Sequence, residues 1–184
     1  MLETPYGPVH LDHCHPYLRD EIALIGDADP FVSQRALPDR LVAALDGLPD
    51  AALDFKPAPS EWSTREVVAH LVQSEIVYGY RYRTILAEPE ALIAGYDQER
   101  WTPMLPEAHW PLGVLLDHLR SLKALNVSVL EQTTREERAR WGVHSERGKE
   151  SIAALIGAIA GHDHMHEAQI AANLAAWRES RSAS

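Results

Sequence analysis

Residues 161–170 read Gly161-His162-Asp163-His164-Met165-His166-Glu167-Ala168-Gln169-Ile170. They lie within a segment, Ser151 to Trp177, whose Ala, Leu and Ile content gives high intrinsic helix propensity. An α-helix turns about 100° per residue, so His162 and His166 lie only about 40° apart and His164 falls nearly opposite. The apolar stripe of this helix is Ile152, Leu155, Ile156, Ile159, Ile170, Leu174 and Trp177. His162 and His166 each sit one heptad beyond Leu155 and Ile159 and continue that stripe. Two imidazoles are therefore predicted to enter a helical core from one face, with His164 directed to solvent or to a partner.

The flanking chain supplies three more helices. Ser63-Thr-Arg-Glu66 has the spacing of a capping box, and the segment from Thr64 to about Leu86 is free of proline. Trp62 stands where it can make a staple-type contact, and Pro89 marks the end. Pro111 to Gln132 carries Leu115, Leu119, Leu122 and Val129 at helical spacing, with His118 on the same stripe. Phe31 to Leu48 forms a further helix that Pro38 is expected to start or kink. Thr134 and Glu137 are spaced to cap a short solvated turn. Residues 1–30 carry six Pro and Gly positions and read as an irregular extension with a short helix from Tyr17 to Ile25. Residues 94–111 and 141–148 read as loops, and residues 179–184 as a polar, frayed tail. No segment alternates with period two, so the prediction is an all-α protein, a four-helix bundle spanning about residues 31–178.

Composition narrows the function. The chain has 184 residues, enough for one domain. It carries 27 acidic against 17 basic side chains, a formal charge of −10, which disfavours nonspecific binding to nucleic acid or to an anionic membrane. A single cysteine, Cys14, permits no internal disulfide and fits a reducing, cytoplasmic setting. The first ten residues have neither the basic nor the apolar region of a signal peptide. The longest nearly apolar stretch, Ile152 to Gly161, is too short to span a bilayer.

The inward pair at i,i+4 has the spacing with which one transition-metal ion is chelated by two neutral ring nitrogens. His70, among Val67, Leu71, Ile76 and Val77 in the second helix, is a candidate third ligand. Ser74 and Tyr78 follow it one and two turns later. Three imidazoles leave a coordination position open, which suits catalysis. The competing account is three separately satisfied core histidines. Burying three imidazoles without a shared partner costs about 1–3 kcal/mol for each unsatisfied group, which favours the metal.

Three stretches together resemble a known family. Lys56-Pro-Ala-Pro-Ser-Glu-Trp62-Ser-Thr-Arg-Glu-Val-Val-Ala-His70-Leu-Val-Gln-Ser-Glu75 is similar to the second-helix signature of the DinB/YfiT-like superfamily. Gly95-Tyr-Asp97-Gln-Glu-Arg-Trp101 resembles the loop that follows, and Gly161 to Ile170 its C-terminal His-x-x-x-His helix. The resemblance implies a four-helix bundle holding one divalent metal, zinc or nickel, through His70, His162 and His166. It also implies a homodimer. Members of this family include thiol S-transferases that use low-molecular-weight thiols, a thiol-dependent isomerase, and proteins described as metal-dependent hydrolases. This chain departs from the related pattern at Met165, where a histidine is common.

Other residues are weighed beside these. Arg81 lies about 20° from His70 in projection and three turns along, so it can line a pocket mouth with Tyr78. Arg147, near His144 in the loop before the last helix, is suited to an anionic substrate. Asp97 is a candidate hydrogen-bond partner for a ligand imidazole, as is Ser74. His10-Leu-Asp12-His13-Cys14-His15 is dense in potential ligands for a second metal, or offers Cys14 as a reactive thiol, although a surface loop of fortuitous composition is the favoured account. His118 is expected to be a core histidine. No side chain near the ligands is an evident general base, and Glu75, five positions past His70, points elsewhere. The expectation is a metal-dependent enzyme acting on a small molecule, with thiol S-transfer ahead of hydrolysis. A non-catalytic module stabilised by metal, or sensing it, is the rival.

Overall fold

The structure, a computed structural model, describes residues 1–88 and 90–182. Pro89, the expected helix stop, and the last two residues of the polar tail lie outside the described residues. A hairpin of β1 (Leu2–Thr4) and β2 (Gly7–Val9) opens the chain, followed by α1 (Pro16–Ile25). Next come α2 (Pro30–Leu45), α3 (Asp50–Leu53) and α4 (Thr64–Ala87). A connecting region holds β3 (Leu92–Ile93) and α5 (Gln98–Met104). Then follow α6 (Leu112–Glu131), α7 (Arg135–Arg138), β4 (Trp141–His144), β5 (Gly148–Ser151) and α8 (Ile152–Ser182).

The helix starts follow from local chemistry. At α4, Ser63 Oγ accepts the Glu66 N–H at 3.2 Å and the Glu66 carboxylate accepts the Ser63 N–H at 2.7 Å, closing the expected capping box. At α2, the Asp29 carboxylate takes the Phe31 and Val32 N–H groups, and Pro30 occupies a position where no N–H is needed. Pro38 falls inside α2 and does not start it, so the Gln34 carbonyl loses its helical donor. Thr134 and Glu137 cap α7 as expected.

Helices α2, α4, α6 and α8 form the bundle: α4 packs on α6 and α8, and α2 packs on the same two. Its interior is divided into three layers. One apolar cluster joins Val67, Leu71 and Val72 of α4 to Leu115 and Leu119 of α6, Ile170 and Leu174 of α8, and Leu37 and Leu41 of α2. A second joins Tyr82 and Ile85 of α4 to Leu130 of α6 and Ile152 to Ile159 of α8. Between them, at one height of three helices, lies a buried polar layer. It contains His70, Ser74 and Glu75 of α4, Lys123 and Asn126 of α6, and His162, Asp163 and His166 of α8.

Several elements differ from the sequence expectation. Residues 2–9 hold a hairpin where irregular chain was expected, while α1 matches the short helix expected from Tyr17 to Ile25 and packs along α8. Gly161 makes this possible: a Cβ there would lie 1.7 Å from the Glu21 carbonyl oxygen. The loop expected at 94–111 contains α5, and that at 141–148 contains β4, the centre of a three-stranded sheet in the order β3-β4-β5, with β3 parallel to β4 and β4 antiparallel to β5. Strands of two to four residues are too short to display alternation, so pairing partners decide them. Helix α8 continues through Ser182, beyond the end expected at Trp177. Among the described residues, no helix is long and apolar enough to cross a membrane.

Candidate metal centre

Helix α4 brings His70, and α8 brings His162 and His166, to one point in the polar layer. His70 Nε2 and His162 Nε2 lie 3.0 Å apart, and His166 Nε2 lies 3.1 Å from His162 Nε2. All three side chains are buried, and among the described residues they form the one group of three or more His, Cys, Asp or Glu able to share an ion. The i,i+4 spacing of the α8 pair and the inward face of His70 thus come together as the sequence predicts.

The donor set fits a divalent transition ion. Zinc–nitrogen bonds of about 2.0–2.1 Å in a tetrahedral site set ligand nitrogens about 3.3 Å apart, close to the spacings here. His166 Nδ1 lies 2.8 Å from Gln169 Oε1; the amide oxygen can only accept, so Nδ1 carries the proton and Nε2 presents its lone pair inward. Burial, reinforced by the neighbouring His166, lowers the His70 pKa to about 2. Burial likewise brings His166 to about 4, and it pushes His162 well below the ordinary range together with its two imidazole neighbours and Lys123. All three rings are therefore neutral at physiological pH, the form that binds metal. The Trp62 indole packs against two of them, 4.7 Å from the His70 ring and 6.2 Å from the His166 ring, which restricts their rotation.

Ser74 Oγ is 3.3 Å from His70 Nε2 and 3.0 Å from the Tyr96 hydroxyl. Tyr96 in turn lines a cavity of about 650 Å³ together with Tyr17, Arg81, Asp97, His144 and Arg147. The Ser74–Tyr96 pair is thus the polar link between the histidines and the cavity. Arg81 donates from Nη2 to the Ala94 carbonyl at 2.9 Å and lies 3.1 Å from His144 Nε2. Burial, with the positive charges of Arg147 and Arg81, lowers the His144 pKa to about 4.

The remaining candidates divide. Arg81 and Arg147 stand on the cavity wall, whereas Tyr78 is buried in the apolar cluster beneath Arg81, its ring 5.3 Å from the guanidinium carbon. Asp97 reaches the cavity, but its carboxylate accepts the Arg100 N–H as the cap of α5 and bonds no imidazole. The dense His10–His15 segment builds no second centre: the His10 and His13 rings stack 5.4 Å apart, and Cys14 joins an apolar cluster. His118 is exposed against Trp110, not in the core, because its position falls at the outer edge of the α6 stripe. His164, expected to face solvent or a partner, meets Ser33 of α2 at 2.8 Å. Glu75 is tied to Lys123 and Asn126, away from the imidazoles, as expected. Sequence reading missed Tyr96 and Gln169; the second was legible as a residue one turn after His166 on the same helix side.

Fold and site together define a four-helix bundle with a three-histidine centre in its interior. The chain belongs to the DinB superfamily, whose family model matches residues 35–170. A Bacillus cereus protein named "Putative metal-dependent hydrolase" is 33% identical over 134 residues, 73% of this chain and 77% of that protein. A Bacillus anthracis protein of the same name is 32% identical over the same shares. A solved structure described as YfiT from Bacillus subtilis, "a probable metal-dependent hydrolase with an unusual four-helix bundle topology", has a TM-score of 0.74 with 23% identity. It covers 78% of this chain and 83% of that one, and the likeness is one of fold.

Proposed function

We propose that this protein is a metal-dependent enzyme that transfers a thiol to a small electrophilic substrate, with His70, His162 and His166 holding one divalent ion, zinc or nickel. The observation that carries the reading is the convergence of three neutral Nε2 atoms from two helices in a buried layer. An ion held by three neutral donors keeps its full positive charge and supplies Lewis acidity, lowering the pKa of a water or thiol in its open position.

The chain's own groups supply positioning. Gln169 holds the His166 tautomer, Trp62 restricts two rings, and the Ser74 and Tyr96 hydroxyls offer hydrogen bonds to a group arriving from the cavity. Thiol transfer is favoured by what surrounds the rings. The buried carboxylates that follow two of the ring-bearing positions, Glu75 and Asp163, both pair with Lys123 Nζ at 2.7 Å, which commits an oxygen of each to that ammonium group. A thiol needs such a base less than water does. Hydrolysis is the second reading, and the names of the relatives favour it.

Metal analysis of protein purified without a histidine tag tests the centre. About one equivalent of zinc or nickel is expected, with affinity reduced at least tenfold in His162→Ala, since a ligand is removed outright. A thiol panel with a generic electrophile, run beside ester and amide substrates, separates transfer from hydrolysis. Turnover in neither assay, with metal bound, would favour a non-catalytic metal-stabilised module.

A further inference from the structure

The wall of the cavity beside the histidines holds a buried guanidinium to which no carboxylate is paired. Arg81 is 2% exposed, yet among the described residues no carboxylate oxygen lies within ion-pair distance of it. It meets a carbonyl oxygen, the neutral His144 ring and the face of Tyr78, and its buried Nε has no hydrogen-bond partner. A buried guanidinium without a counter-charge is costly. Across the same cavity, Arg147 spends its Nε on Glu150 at 2.6 Å, while its buried Nη2 is also unpartnered. Glu21, the other acid behind this wall, is buried, and burial raises its pKa to about 7, so it neutralises the pair only in part. Two fork-shaped donors thus converge on one cavity with N–H groups to spare, the arrangement that receives a carboxylate.

We infer that the Arg81–Arg147 cavity is the binding site for a carboxylate on the substrate or thiol, held apart from the three-histidine centre. This rests on the reading of that centre as the reactive end. A carboxylate is preferred over a phosphate because Asp97 and Glu146 also line the cavity and repel two charges concentrated on one group more than the single charge of a carboxylate. The position sets a length as well. Eleven helical residues separate His70 from Arg81, about 16 Å along the axis, and the arginine folds back over Tyr78 toward His70. The bound acid is therefore elongated, its carboxylate held along α4 from the end that meets the histidines.

Glutarate, its uncharged diamide and inorganic phosphate serve as probes, with binding read by calorimetry and by thermal shift on the full chain. Wild-type protein stripped of metal with chelator is expected to bind glutarate, to ignore the diamide, and to bind phosphate at least fivefold more weakly. Arg147→Gln is expected to weaken glutarate at least tenfold. Arg81→Lys, which keeps the charge in the buried position but loses the fork, is expected to weaken it severalfold. Equal binding by wild type and both variants, no glutarate binding by wild type, or a preference for phosphate would overturn the assignment. Should wild-type protein take up no metal while glutarate still binds, the enzymatic reading fails and the anion site stands.

Discussion

Gly161 and Glu21 show how much a single atom decides here. The Cβ of Gly161→Ala would meet both the carbonyl oxygen and carbon of Glu21, neither of which can move without shifting α1. Loss of about 3 kcal/mol or more is expected, measured by urea denaturation. Glu21 itself links stability to pH. Burial holds its carboxyl at about 7 in the folded protein, against an ordinary value of 4.5. The unfolded chain releases this proton first, so folding stability falls as pH rises from 4.5 to about 7. Glu21→Gln is therefore expected to be more stable than wild type by about 1–3 kcal/mol at pH 8, with the gain shrinking toward pH 5. Denaturation midpoints at the two pH values check this.

Among the elements, α4, α6 and α8 are joined by one buried ionic group. Lys123 reaches Glu75 and Asp163, and Asn126 donates to the Glu75 carboxylate at 2.8 Å. Removing the cation strands two buried carboxylates, so Lys123→Met is expected to lose about 3–5 kcal/mol, read from the denaturant midpoint. Because Asp163 neighbours His162, the same group helps fix the rotation of α8 that aims the imidazoles. The start of α4 is set more locally: Ser63→Ala removes one half of the capping box and is expected to cost about 1 kcal/mol, with far-UV circular dichroism little changed.

At the scale of the whole molecule, the two apolar clusters flank the polar layer and do not depend on it. Chelation of bound metal is thus expected to lower the melting temperature while leaving the helical circular dichroism spectrum intact, unlike a small zinc domain that unfolds without its ion. The metal-free protein should also lose stability as pH falls below about 6.5. The unfolded chain protonates its histidines there, whereas the folded rings resist until about 4 for His166 and about 2 for His70, with burial also holding His162 well below the ordinary range. Three such rings outweigh the opposite trend of Glu21 and Asp163, both raised to about 7, and thermal melts between pH 7.5 and 5 measure the difference.

Long amphipathic helices carry their own signal in the spacing of apolar residues, and caps such as Ser63–Glu66 act over three residues. The bundle, its helix starts and the shared face of His162 and His166 were therefore readable from the chain alone. Local periodicity has no access to contacts between distant segments. The hairpin at the start, the packing of α1 along α8, the short β3-β4-β5 sheet, the exposure of His118 and the placing of Tyr96 beside Ser74 were settled only by tertiary packing. So was the pairing of Arg81 with Arg147 across a cavity, since 66 residues separate them and only the folded chain decides which buried charges find a partner.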